Sequence, residues 1–153
     1  YDEMKGKKIL VISSFGKLIK EQYDSGNTLK LGLNFPETTS LDYVTFPYCF
    51  QNNGPDNNYF ETLERVFQQV STKDFDIAIL GCGAYGHMLT HKIHEDLMKE
   101  AIYIGGCVTN LFGILSTRER EHTDLITNEY WITHIPEEYR PENYKTVEDG
   151  CYW

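Results

Sequence analysis

Gly81, Gly83 and Gly86 stand in G-x-G-x-x-G order within FDIAILGCGAYGHML, after an apolar run and before a pattern of helical period. Glycines at such a turn let backbone approach a phosphate without a Cβ in the way, and the N–H groups at a following helix start favour an anion. A dinucleotide site asks in addition for an acidic residue about 20 positions on, at the end of the next strand, to hold a ribose hydroxyl. That strand reads AIYIGG and closes on Ile104, Gly105 and Gly106, with no carboxylate, so NAD is not the expected cofactor. The second glycine pair is instead followed by the small polar residues Thr109 and Asn110. Two strands ending in bare backbone suggest a shallow floor for an anion, built from Gly81, Gly83, Ala84, Tyr85 and Gly86 in one turn and Gly105, Gly106 and Asn110 in the other. The bland alternative is that the glycines only permit tight turns and close helix packing.

Other side chains with chemical potential are less well placed. His87, His91 and His94 recur at i, i+4 and i+7 and share one helical face, a spacing that invites a metal. Leu89, Ile93 and Leu97 fall on the opposite face, so the histidines are expected to point to solvent, and no metal site is assigned. Asp74 and Asp76 have the D-x-D form that can hold a divalent ion, but they enter their strand at its amino end. Ser13 and Ser14 follow the first strand without a G-x-S-x-G elbow, and no pattern places His122 or His134 beside them. Cys49, Cys82, Cys107 and Cys151 form no C-x-x-C pair, so reduced thiols are expected, with Cys82 or Cys107 a remote candidate nucleophile. Aromatic and acidic residues alternate from Glu129 to Trp153, which suits either a sugar surface or a segment that wraps a sheet edge.

The elements that must position these residues follow from periodicity. Short apolar runs alternate with segments of helical period, the pattern of a βαβ series with a parallel sheet. Strands are expected at residues 7–14, at 41 to about 47, at 74–80 and at 101–106, with helices from about 15, 59 and 85 and a further helix over 107–115 broken near Gly113. Asn58 is placed to cap the second helix. The expected fold is therefore α/β, a Rossmann-like three-layer sandwich with a mainly parallel sheet of about four strands and an irregular, aromatic-rich C-terminal tail, over residues 1–153 as a single domain. In such sheets ligands bind outside the carboxyl ends of the strands. That rule selects Ser13 to Gly16, Tyr48 to Asn58, Gly81 to Gly86 and Gly105 to Asn110 as one edge.

Composition narrows the partners. With 41% hydrophobic residues the chain can bury a core, and 14 Lys+Arg against 23 Asp+Glu give a charge of −9, which opposes nucleic-acid binding. No apolar run approaches the roughly 20 residues of a membrane span, and a cytoplasmic location is expected. The chain opens on Tyr1 and YDEMKGKK reads as a linker, so a preceding domain is expected, or a second copy as a partner.

ILVISSFGKLIKEQY, FDIAILGCGAYGHMLTHKI, AIYIGGCVTNLFGI, NEYW and EDGCYW together resemble the C-terminal half of a family of mostly uncharacterised bacterial and viral proteins, distantly related to GT-D-type glycosyltransferases. The resemblance implies a Rossmann-like domain that binds a nucleotide-sugar donor through Gly81, Gly83, Ala84, Tyr85, Gly86, Gly105 and Gly106, with Mn²⁺ or Mg²⁺ accompanying the donor. Glycosyltransferases of that type hold the metal with a D-x-E motif, which this chain lacks. Two further readings stand beside it: a non-catalytic interaction module with structural glycine turns, and a hydrolase or small-molecule transferase using Cys or Ser. The histidine stripe makes one expectation testable at once: purified, untagged protein contains no stoichiometric zinc by elemental analysis, and a molar equivalent would contradict it.

Overall fold

A computed structural model describes residues 2–50, 54–122 and 127–153. Four strands, β1 (Lys8–Ser13), β2 (Ser40–Thr45), β3 (Ile77–Gly81) and β4 (Glu100–Tyr103), form one all-parallel sheet in the order β2-β1-β3-β4. β1 lies inside the sheet, and Ile9 to Ile12 are buried without a break, as a strand covered on both faces requires. Alternate residues divide the core. Leu10 and Ile12 join Val66, Val70, Leu89 and Ile93 from α2 (Tyr59–Ser71) and α3 (Gly86–Leu97). Ile9 and Val11 join Leu18 and Ile19 from α1 (Gly16–Asp24) on the opposite face, together with Val108, Phe112, Ile114 and Ile135. The result is the Rossmann-like three-layer α/β sandwich.

The strand order carries the main functional consequence. From β1 the chain steps to β2 on one side and then returns to lay β3 on the other, so the crossovers diverge on either side of β1. The crevice between β1 and β3 is a topological switch point, where open α/β sheets bind ligands. Ser13 pairs in register with Gly81, so both strands deliver their last residues to this crevice at the same level.

At the opposite end of the sheet, the Asp74-Phe75-Asp76 segment clamps β1. Asp76 Oδ2 accepts from the Lys8 amide at 2.8 Å, and Asp74 Oδ2 pairs with Lys8 Nζ at 2.6 Å. The D-x-D residues therefore serve strand alignment, across the sheet from the crevice.

Three elements differ from the sequence-based expectation: β3 begins at Ile77 rather than Asp74, β4 ends at Tyr103 rather than Gly106, and the segment after it is not the expected helix. Residues 107–115 form no α-helix. Two 3-10 turns, Gly105–Val108 and Asn110–Phe112, are closed by Gly113 at φ +73°, where a Cβ would come within 2.3 Å of Leu31 Cδ2. Thr109 Oγ1 donates to the Gly106 carbonyl at 3.2 Å, a local bond that competes with helix continuation. The short α4 (Thr117–His122) follows, and residues 127–153 wrap back over the fold in isolated turns. Trp131 anchors this return, its Nε1 donating to the Leu31 carbonyl at 3.2 Å. Among the described residues no helix is long and apolar enough to cross a membrane.

Asn58 caps α2 as expected, Oδ1 accepting from the amides of Phe60 at 3.0 Å and Glu61 at 3.1 Å. Asn58→Ala should cost about 1 kcal/mol, lowering the melting temperature by roughly 2–4 °C in a thermal scan followed by circular dichroism. An unchanged melting temperature would show that the cap contributes nothing.

Candidate functional site

The carboxyl end of β1 is shaped by Ser13, which is 1% exposed and whose Oγ accepts from the Phe15 amide at 3.2 Å. This local turn presents Ser14 to the crevice and starts α1. Across it, Gly81 ends β3. A cavity of about 230 Å³ opens here, with Ser13, Ser14, Gly81, Gly106, Val108 and Thr109 as its floor. Its walls are formed by Phe15, Tyr48, Phe50, Ser116, Glu119, Val147, Tyr152 and Trp153. A second cavity of about 260 Å³ adjoins it, sharing Ser14, Tyr48, Phe50 and Gly81 and adding Cys49, Cys82, Gly83, Ala84 and Tyr85. Ser14 and Tyr48 also border a third recess that holds Lys17 and Arg140.

A larger, flatter groove of about 690 Å³ runs between β2 and α2. Its cations are already paired, Arg65 with Asp56 at 3.0 Å and Lys73 with Asp42 at 2.9 Å, and it lies at an edge strand rather than at the switch point. The two adjoining cavities are therefore the better candidate.

The glycines divide by role. At Gly81 a Cβ would come within 2.2 Å of Val108 Cγ1 and 2.7 Å of the Gly105 carbonyl, so its bareness lets the Gly105–Val108 turn seat against β3. At buried Gly86 a Cβ would come within 2.1 Å of the Tyr103 ring, so this glycine lets α3 close on β4. Gly83, with φ +54°, and Gly106 have open space where a Cβ would stand. Asn110 is half-buried and borders neither cavity; its neighbour Thr109 takes that place. Of the residues expected at the site, Ser13, Ser14, Gly81 and Gly106 line one cavity and Ser14, Gly81, Gly83, Ala84 and Tyr85 the next, whereas Gly86, Gly105 and Asn110 line neither. Residues 51–53 of the expected loop, and the side chain of His122, lie outside the described residues.

The wall comes from far along the chain. The Trp153 ring centroid is 5.7 Å from Tyr48 and 5.9 Å from Phe50, and its Nε1 donates to Tyr48 Oη at 3.3 Å. Tyr48 in turn donates to the Tyr139 carbonyl at 3.0 Å, and burial raises its phenol pKa, which keeps the proton in place. Thr117 Oγ1 donates to the Trp153 carbonyl at 2.7 Å, tying this segment to α4. No local pattern announces a contact between residues 105 positions apart.

Ser116 and Glu119, by contrast, carry a signal in the sequence. STRE is a capping box, S-x-x-E before a helix. The Ser116 amide donates to Glu119 Oε2 at 2.8 Å, the Ser116 hydroxyl donates to the same oxygen, and the Glu119 amide reaches back to Ser116 Oγ at 3.4 Å.

Nucleophile and metal candidates fare differently. Burial pushes the Cys82 thiol up to about 12, so it stays protonated at neutral pH and is no thiolate nucleophile. Cys107 is exposed and lines neither cavity. His87, His91 and His94 are exposed along α3. Among the described residues no group of three or more His, Cys, Asp or Glu side chains converges to hold a metal ion.

No known family, no curated protein and no solved structure matches the chain.

The glycine geometry predicts an order of stabilities. Gly81→Ala should cost about 1–3 kcal/mol because rigid neighbours block the new methyl. Gly83→Ala, with space but a left-handed backbone, should cost about 1–2 kcal/mol. Urea unfolding of both variants checks the order, and a Gly81→Ala protein as stable as the wild type would refute the packing account.

Proposed function

We propose that the adjoining cavities at the β1/β3 crevice bind a nucleotide-sugar donor and that the chain is a glycosyltransferase-like domain. The observation that carries this reading is the coincidence of a two-lobed cleft with the switch point. Each lobe is small alone, but joined through Ser14, Tyr48, Phe50 and Gly81 they reach the lower part of the roughly 300–1,000 Å³ range of small-molecule sites.

The lining suits such a donor at both of its ends. Hydroxyls of Ser13, Ser14 and Thr109 and the rings of Tyr48, Phe50 and Tyr152 match a polyhydroxylated ring, which offers both hydrogen bonds and apolar faces. The first amides of a 3-10 turn have no partner within the turn, which leaves Gly83 and Ala84 in one lobe, and Gly106 in the other, disposed toward phosphate oxygens.

An interaction module built on the aromatic tail is the weaker reading. Trp153 is only 6% exposed and its ring is enclosed by Tyr48, Phe50, Tyr144 and Tyr152, so it is held within the chain rather than displayed to a partner.

Calorimetric titration with UDP-, GDP- and dTDP-sugars, with and without Mn²⁺, tests the proposal. At least one should bind with a dissociation constant between about 1 µM and 1 mM, the usual span of substrate affinities. Its addition should shift the amide resonances of Ser14, Gly83 and Gly106. The absence of binding by every donor would sink it.

A further inference from the structure

We infer that Glu119 is the base that takes the proton from the acceptor hydroxyl in the transfer reaction, a role that rests on the donor-binding reading above. Glu119 is the one carboxylate lining the 230 Å³ cavity. Its two oxygens are not equivalent. Oε2 is fixed by both the amide and the hydroxyl of Ser116, whereas Oε1 accepts no hydrogen bond among the described residues. A carboxylate held by one oxygen and open at the other has its orientation set before any substrate arrives.

No cation competes for that open oxygen among the described residues. The neighbouring arginines are directed elsewhere: Arg118 lies 4.0 Å from Glu148, and Arg120 Nη2 donates to Thr117 Oγ1 at 2.7 Å. The capping role alone is a thin reason for a half-buried carboxylate at this place. The helix it caps has six residues, and both partners of the cap, Ser116 and Glu119, line the cavity.

In the reaction, the acceptor oxygen forms its new bond to the anomeric carbon of the donor. The bond from that carbon to the phosphate oxygen breaks, and its electron pair leaves with the nucleoside diphosphate. The acceptor proton passes to Glu119 Oε1. Water in the acceptor position gives donor hydrolysis by the same steps. Positioned bases of this kind contribute about 10²–10⁴-fold.

The test uses Glu119→Gln, which keeps the capping geometry and removes the base. Release of nucleoside diphosphate from UDP-glucose, UDP-galactose, UDP-N-acetylglucosamine, GDP-mannose and dTDP-rhamnose is followed with water and with monosaccharide acceptors, beside calorimetric donor affinity and melting temperature. The expected result is donor affinity within about twofold of wild type and release slowed by about 10²–10⁴-fold. If Glu119→Gln melts early, Glu119→Asp keeps the charge but withdraws it by one methylene, and release should fall at least tenfold with donor affinity retained. Release within a few-fold of wild type in a folded variant would overturn the role of Glu119 and leave the donor site standing. Donor binding by wild type without release to any acceptor would do the same. Failure of the wild type to bind any donor would remove the donor site and this inference together.

Discussion

The pairing of β1 with β3 is the constraint on which the rest of the molecule depends. β1 is buried on both faces, so it must be flanked on both edges, and the chain meets that need by placing β2 on one side and β3 on the other. The two crossovers then diverge, and their loops cannot close over the crevice between β1 and β3. Register completes the arrangement, because Ser13 opposite Gly81 brings a hydroxyl-bearing turn and a glycine turn to the same height. The amino end of the same pair is locked by Asp76 on the Lys8 amide, so alignment set at one end of the sheet appears as geometry at the other.

Close approach of backbone is the second principle. Gly81 admits the Gly105–Val108 turn and Gly86 admits Tyr103, each at a distance that a methyl group would forbid. These two glycines shape the cleft through packing, while Gly83 and Gly106, with open space above them, leave bare backbone along the two cavities. A single G-x-G-x-x-G string thus mixes two functions that differ in what stands against each Cα.

The wall of the cleft arises from a different economy. Residues 127–153 have little regular structure, yet Trp131 and Trp153 are buried, and hydrogen bonds from Trp131 to Leu31, Trp153 to Tyr48 and Thr117 to Trp153 pin the segment in place. Large rings with one polar atom suit this task, since they bury area while the indole N–H finds a fixed acceptor. Trp153, with Tyr48 and Phe50, gives the cavity its apolar face, and the capping box of α4 supplies its carboxylate.

Much of this was written in local sequence. Uninterrupted apolar runs specify parallel strands, the helical period between them specifies crossovers, Asn58 specifies a helix start, and the carboxyl-edge rule selects Ser14, Gly81, Gly83 and Gly106, because each of these depends on neighbours a few positions away. The 3-10 turns after β4 were misjudged because two glycines and a threonine weaken a helix by amounts that tertiary contact with β3 and Leu31 then decides. Strand order, the division of the glycines into packing and presenting positions, and the meeting of Tyr48, Glu119 and Trp153 in one cavity belonged to the tertiary structure alone. They depend on which surfaces bury one another between distant parts of the chain, and periodicity, which records only the side of an element that faces inward, carries no information about what it faces.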